Sequence, residues 1–423
     1  MPYSMANSRK ERDSTTGWML EKTRFNNDYD LMNKDLPSEQ DRVLGCMVGG
    51  AVGDALGYPI EFLHWPQIRA HCGDRGLTRY ALSKGGLALI SDDTQMALFT
   101  AAGVLLGMTR GAMRGIMGRL DEYCKHAYLD WLHTQQWRSR KEGERVVSWL
   151  MNVPELFSLR APGHTCISSL RAIEAGQEVH NDSCGCGGVM RTAPVALVCY
   201  LHDYHGGNWE YCDWAAAEVA RITHLHPLGF LPSAVLNDIL MQILAGKAVD
   251  AASLCQVVQE AAGRLPSIVS QDEEKTYGAL WPHHVARQQE ILAQALDLAH
   301  TDKPDVAAIE SIGGGWTGHE ALAIAVYSAV KHAGSFEDAV ISSVNHSGDS
   351  DSTGAICGNI VGCLHGRKAI PDFFTEKLEL RDVIEEMAQD LYTGCIISEY
   401  DRRETPEKKR WEKKYCYFEW PKE

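Results

Sequence analysis

The stretch Ser38-Glu39-Gln40-Asp41-Arg42-Val43-Leu44-Gly45-Cys46-Met47-Val48-Gly49-Gly50-Ala51-Val52-Gly53-Asp54-Ala55-Leu56-Gly57 joins a helix start to an apolar stripe. Ser38 and Asp41 fit a capping-box variant, in which a hydroxyl and a carboxylate satisfy backbone donors that the first turn leaves free. Behind them Val43, Leu44, Met47, Val48, Ala51, Val52, Ala55 and Leu56 recur at the helical period. Gly45, Gly49, Gly50 and Gly53 sit among them, although each glycine weakens a helix by about 1 kcal/mol. So many in one helix point to another backbone, or a ligand, approaching closely.

The same texture spreads outward. Asp93 to Leu106 reads as a helix with Ala97, Ala101, Ala102 and Gly103 on it. Helical patterns follow near 112–135, 165–176, 211–222, 232–245, 251–263, 287–300, 319–333, 336–345, 353–364 and 376–392. Alternating strand patterns and hairpin turns are scarce, and no repeat of fixed period is apparent. The expectation is an all-α, compact, single-domain orthogonal helical bundle covering residues 38–400. Before it, residues 1–37 carry six basic and six acidic side chains and few apolar ones. They read as a disordered leader, or as a partner-binding arm anchored by Trp18. The stretch 264–285, with Pro266 and the Asp272-Glu273-Glu274-Lys275 run, reads as a loop. The tail 401–423 is charged and aromatic, with Trp411, Tyr415, Tyr417, Phe418 and Trp420. It either packs as a final layer or stays loose.

Composition narrows the function classes. The 423 residues are 45% hydrophobic and 23% charged, ordinary for a globular chain. At ~150 residues per domain the length allows nearly three domains or one large one. A net charge of −15 without a basic block argues against nucleic acid as a partner. No run approaches ~18 uncharged apolar residues, so no membrane-spanning helix is expected, and the polar first ten residues resemble no secretory signal. Thirteen cysteines, an odd number at scattered spacings, read as reduced thiols of a cytoplasmic protein.

Chemistry gathers at two acidic motifs, each opening a helix: Ser91-Asp92-Asp93-Thr94 and Asp349-Ser350-Asp351-Ser352-Thr353. Either alone is a satisfactory helix cap, since carboxylates at an N-terminus complement the macrodipole. Two such clusters, if they meet, would repel strongly without a cation between them. All-oxygen donors suit magnesium, manganese or calcium rather than zinc. The second motif lacks the Gly and Glu of an EF-hand loop, which removes that reading. Weaker signals are Glu61 after Pro59, the glycine-rich Cys184–Arg191 turn, the two histidines of Thr223-His224-Leu225-His226-Pro227, and Gly313-Gly314-Gly315-Trp316. The 184–191 turn is a phosphate cradle or simply a tight turn. Its Cys-x-Cys pair lacks a second pair at zinc spacing. Asp54 is a support for the site or a helix-end cap.

In order along the chain, Gly53-Asp54-Ala55-Leu56-Gly57, Ser91-Asp92-Asp93-Thr94, Pro162-Gly163-His164-Thr165, Gly185-Cys186-Gly187-Gly188-Val189-Met190-Arg191, the 223–227 motif and Gly348-Asp349-Ser350-Asp351-Ser352-Thr353 resemble the ADP-ribosylglycohydrolase family over about residues 39–370. The flavour is nearest to its ADP-ribosylarginine hydrolases. The resemblance implies an all-α fold with a central two-metal cleft holding two Mg²⁺, or Mn²⁺. It implies Ser91, Asp92, Asp93, Asp349, Asp351 and Ser352 as metal ligands, with Asp92, Asp93, Asp349, Asp351 and Glu61 in the catalytic centre. Gly187, Gly188 and His224 are implied as contacts to ADP-ribose, and Met190 and Arg191 as structural residues. Many members have Thr at positions 91 and 352, Asn at 186, and Gly-Gly where this chain has His346-Ser347-Gly348. The implied reaction removes ADP-ribose from arginine of a modified protein. The competing class is a binding protein that neutralises a partner, such as an ADP-ribosyltransferase, through residues 1–37.

Overall fold

The computed structural model of the protein describes residues 36–136, 146–268, 276–398 and 403–419. The proposed arm with Trp18, the 272–275 acidic run and Trp420 lie outside the described residues. Residues 39–423 form one compact unit.

The described helices are α1 (Glu39–Gly57), α2 (Trp65–Cys72), α3 (Asp92–Arg114), α4 (Leu120–Gln135), α5 (His164–Glu174), α6 (Ala193–Leu201), α7 (Trp209–Arg221), α8 (Pro227–Leu244), α9 (Ala251–Arg264), α10 (Trp281–Ala299), α11 (Asp305–Ile312), α12 (Gly318–Lys331), α13 (Phe336–Val344), α14 (Ser350–His365), α15 (Asp372–Thr375), α16 (Arg381–Thr393) and α17 (Pro406–Tyr415). Among the described residues there is no strand, only two isolated bridges, Ala88 to Leu378 and Gly185 to Thr317. The fold is all-α, as the periodicity indicates.

The glycine series of α1 meets a backbone. A Cβ on Gly45 would lie 2.1 Å from the carbonyl oxygen of Gly362, and one on Gly49 would lie 2.3 Å from that of Gly358. On Gly57 it would lie 2.2 Å from that of Ser350. The numbers run in opposite directions, so α1 and α14 are antiparallel and touch main chain to main chain. The C-terminal end of α1 therefore lies against the N-terminal end of α14, where the second acidic motif sits.

α1 extended to Ile60, α3 and α8 are long and apolar enough, by length and composition, to cross a membrane, contrary to the expectation from uninterrupted runs. In the protein 83%, 67% and 100% of their most apolar windows are buried, so their apolar faces cover one another and the surrounding helices. The helix expected over 112–135 is in fact two. α3 runs on to Arg114, Gly115 turns the chain at φ 69°, and α4 starts at Leu120. The helix expected over 376–392 begins only at Arg381, because Leu380 at φ 58° stands as its N-cap and residues 376–380 are turn around the Leu378 bridge; this helix is α16. α8 starts five residues before the expected 232, with Pro227 in its first turn and His226 Nδ1 accepting the Leu228 N–H at 3.1 Å. The expected 264–285 loop ends early, because Trp281 is buried and stacks on Tyr277 to begin α10. The tail is a packed layer where it is described: Trp411 and Tyr415 of α17 are buried, and Trp411 Nε1 donates to Thr109 Oγ1 at 3.0 Å.

Candidate active site

Helix starts build the acidic centre. At α3 the Ser91 hydroxyl accepts the Asp93 N–H at 3.1 Å, capping the helix and placing Asp92 and Asp93 in its first turn. At α14 Asp349 is the cap, its carboxylate accepting the Ser352 N–H at 3.2 Å, and Asp351 accepts the same N–H at 3.0 Å. Asp54 ties the first motif down from α1: its carboxylate accepts the Ser91 N–H at 2.9 Å, the Thr94 N–H at 3.1 Å and the Thr94 hydroxyl. It supports the site and caps α3 rather than its own helix.

Two motifs more than 250 residues apart thus line one cleft of about 190 Å³, together with Glu61. Asp92, Asp93, Glu61, Asp349, Asp351 and Ser352 all reach it. One carboxylate oxygen from each of Glu61, Asp349 and Asp351 lies within 4.8 Å of the others. Glu61 is buried there beside Asp349 and Asp351. Gly187 and His224 also line the cleft, with Gly185 and Cys186, and with Gly163 to Cys166 at the start of α5. Gly187 lies under the imidazole: a Cβ there would sit 2.9 Å from His224 Cε1. Gly188 instead packs away from the lining, its missing Cβ leaving room for the Gly229 carbonyl oxygen at 2.5 Å and the Ala220 side chain. Ser91 is fully buried with its hydroxyl engaged as a cap. Arg191 is fully buried, donates to Thr223 Oγ1 at 2.7 Å and stands 4.5 Å over the Tyr128 ring, which makes it a structural residue. Thr223 Oγ1 in turn lies 2.8 Å from His224 Nδ1, fixing the ring.

Electrostatics follow from burying like charges. Burial, then the charges of Asp349, Asp92 and Asp54, push the Glu61 carboxyl up to about 8. Burial also takes Asp92 to about 8, and takes Asp54 to about 6 against the hydrogen bonds from Thr94 and Ser91. Asp93 and Asp351 rise well above the usual carboxylate range, through burial first and neighbouring carboxylates next. Asp93 Oδ2 and Glu61 Oε2 are buried without a hydrogen-bond partner. A hard divalent cation resolves both problems: it neutralises the charges and engages the orphaned oxygens. The residues present therefore fit such an ion. His224 moves the other way, to about 3, because burial and then the Arg191 charge disfavour its cation, so the ring that faces the cleft is neutral.

Two features escape sequence reasoning. The Cys186 thiol donates to Asp349 Oδ2 at 2.7 Å, so the Cys-x-Cys turn enters the acidic centre as a hydrogen-bond donor. Phe62 and Trp316, from loops far apart in sequence, stack with ring centroids 5.8 Å apart, and Trp316 lines the cleft. The neighbour of Glu61 and the Gly313-Gly314-Gly315 run were the only signals available for that pair.

The chain is similar to known proteins over most of its length. A family model described as ADP-ribosylglycohydrolase matches residues 35–399. The chain is 26% identical over 355 residues to the ADP-ribosyl-[dinitrogen reductase] glycohydrolase of Rhodospirillum rubrum, covering 82% of this chain and 92% of that one. It is 23% identical over 357 residues to an ADP-ribosylarginine hydrolase of Pseudomonas putida, covering 83% and 78%. A solved structure titled ADP-ribosylglycohydrolase-related protein complex superposes with a TM-score of 0.56 at 22% identity, over 84% of this chain and 98% of that one, a likeness of fold.

Proposed function

The chain belongs to the ADP-ribosylglycohydrolase family, and on that premise we propose that this ADP-ribosyl hydrolase is a magnesium-dependent ADP-ribosylarginine hydrolase that reverses mono-ADP-ribosylation of proteins. The observation that carries the reading is the meeting of Asp92 and Asp93 with Asp349, Asp351 and Glu61 in one cleft. A non-catalytic scaffold has no use for five buried carboxylates that repel one another.

Hydrolysis of the N-glycosidic bond breaks the link between ribose C1″ and a guanidinium nitrogen through an oxocarbenium-like state, while water attacks C1″. Asp92, Asp93, Asp349 and Asp351, with the Ser91 and Ser352 hydroxyls, are the groups assigned to hold two Mg²⁺, or Mn²⁺ in their place. Bound there, such ions would supply Lewis acidity toward the ribose. The remaining tasks fall to this chain. Negative charge around C1″ stabilises the developing cation. Glu61, whose carboxylate shares the cleft with Asp349 and Asp351, is assigned to position the attacking water and receive its proton. Neutral His224 and the backbone at Gly187 shape the groove for the ADP-ribose moiety. Cys186 holds the Asp349 carboxylate in place. All thirteen cysteines are free thiols, which supports a cytoplasmic location.

The test is release of ADP-ribose from a panel of arginine-linked, serine-linked and small-molecule conjugates, with and without EDTA. Arginine-linked substrate should turn over, EDTA should stop it and added Mg²⁺ restore it. Asp349→Asn should fall by at least about 100-fold while remaining folded. Turnover only of another linkage, or full activity in EDTA, would overturn the arginine or the magnesium assignment respectively.

A further inference from the structure

Phe62 and Trp316 are unusual among the large apolar side chains. They are 71% and 45% exposed, yet stack on one another at 5.8 Å with planes only 20° apart. Exposed rings in contact leave two broad faces to water, an arrangement that a flat ligand completes. Their place is set by the acidic centre. Phe62 follows Glu61 directly in the chain. Trp316 stands two residues after Gly314, whose carbonyl oxygen accepts the Asp349 N–H at 2.9 Å. The Trp316 carbonyl oxygen accepts the Cys186 N–H at 3.2 Å, so this loop is pinned to the opposite motif as well. Gly315, at φ +78°, makes the approach possible: a Cβ there would meet Thr353 Cγ2 at 2.9 Å and Asp349 Cβ at 3.4 Å. The backbone is thus built to hold an indole at the rim of the carboxylates.

We propose that the Phe62–Trp316 pair is the platform for the leaving group, stacking the planar guanidinium of the modified arginine beside the carboxylates that receive its ribose. The inference rests on the arginine-hydrolase reading given above and names the residues that select that linkage. A guanidinium is flat and cationic, and it gains from an aromatic face and from nearby negative charge together. The site offers both: Phe62 adjoins Glu61, and Trp316 stands two residues from Gly314, which accepts the Asp349 N–H. The adenine ring is the other flat group of the substrate, but a second ribose and a pyrophosphate separate it from the reacting C1″. A platform adjoining the carboxylates therefore faces the leaving group, not the base. An uncharged linkage, such as an ester or a serine ether, gains little from such a surface.

The test uses full-length protein with Mg²⁺ and saturating ADP-ribose, titrated calorimetrically with agmatine, a free guanidinium probe. Wild type should bind it. Trp316→Ala and Phe62→Ala should each weaken binding about 10-fold, and Trp316→Phe should retain most of it. The same alanine variants should lower kcat/KM for ADP-ribosylated arginine by a similar factor, with the affinity for ADP-ribose alone retained. Equal agmatine binding by wild type and both alanine variants, or none by wild type, overturns the platform. Weakened binding of ADP-ribose alone places the pair at the nucleotide end and overturns it too. Failure of wild type to hydrolyse the arginine linkage is a separate result: it removes the proposed activity, while agmatine binding still decides whether the rings hold a guanidinium.

Discussion

A Cβ on Gly53 would sit 1.9 Å from the carbonyl oxygen of Gly354, so α1 and α14 approach more closely than any side chain allows. This contact is the last full step of the seam before the acidic centre, and it sets where Asp54 and Glu61 lie relative to Asp349 and Asp351. Gly53→Ala must push the helices apart or break the seam. Overpacking of this kind costs about 1–3 kcal/mol, outweighing the ~1 kcal/mol that alanine gains in a helix. Thermal unfolding should show a lower midpoint and activity should fall with it. Gly263→Ala is the control: nothing lies within 4 Å of its Cβ position on α9, and it should stabilise by about 0.5–1 kcal/mol.

That seam was half legible in sequence: so many glycines in one apolar stripe demanded a close neighbour, a backbone or a ligand, and the backbone of α14 is what meets them. The break at Gly115 and the late start of α16 after Leu380 were not, since an apolar period continues through both places and a left-handed Leu380 carries no residue signature. α6 went unseen for the opposite reason: Ala193 to Cys199 is buried on every side, so it has no polar face to mark a period. The acidic motifs announced themselves by chemistry. Cys186 and the Phe62–Trp316 pair did not, because their meaning lies in which loop faces which.

Asp54 offers the next prediction. Asp54→Ala strands the Ser91 N–H, the Thr94 N–H and the Thr94 hydroxyl in a buried place. Each such loss costs about 1–3 kcal/mol, so the melting point should drop. The first turn of α3 also loses its tether, and magnesium affinity by titration calorimetry should fall about 10–100-fold. Unchanged magnesium affinity in a folded Asp54→Ala protein would detach Asp54 from the site.

Proton linkage gives a pH signature for the metal-free protein. Glu61 and Asp92 carry folded-state values of about 8, against about 4 for an unfolded carboxylate. Between those values the folded state binds more protons than the unfolded one, so stability is greatest below about pH 4 as far as these groups go and declines as pH rises through about 8. In EDTA the melting point should therefore fall from pH 5 to pH 8 more than in an Asp92→Asn variant. Magnesium removes the penalty, and its stabilising effect should grow across the same interval, with protons released on binding. A melting point that rises with pH in EDTA contradicts this assignment.

Cys186 separates a donor role from a thiol role. Its thiol donates to Asp349 Oδ2 at 2.7 Å, and its burial beside Asp349 keeps that thiol protonated, well above the usual thiol range. A group that only donates is replaceable by another donor of suitable reach. Cys186→Asn should keep activity within about 3-fold, whereas Cys186→Ala leaves Asp349 Oδ2 without that partner and should lose about 10-fold in kcat/KM, since a hydrogen bond to a charged group is worth about 1.5–3 kcal/mol. Steady-state rates at several magnesium concentrations distinguish the routes. If Cys186 aligns Asp349 for the cation, excess magnesium should recover most of the Cys186→Ala loss. If Asn fails as badly as Ala, the thiol does something that hydrogen-bond donation to Asp349 does not describe.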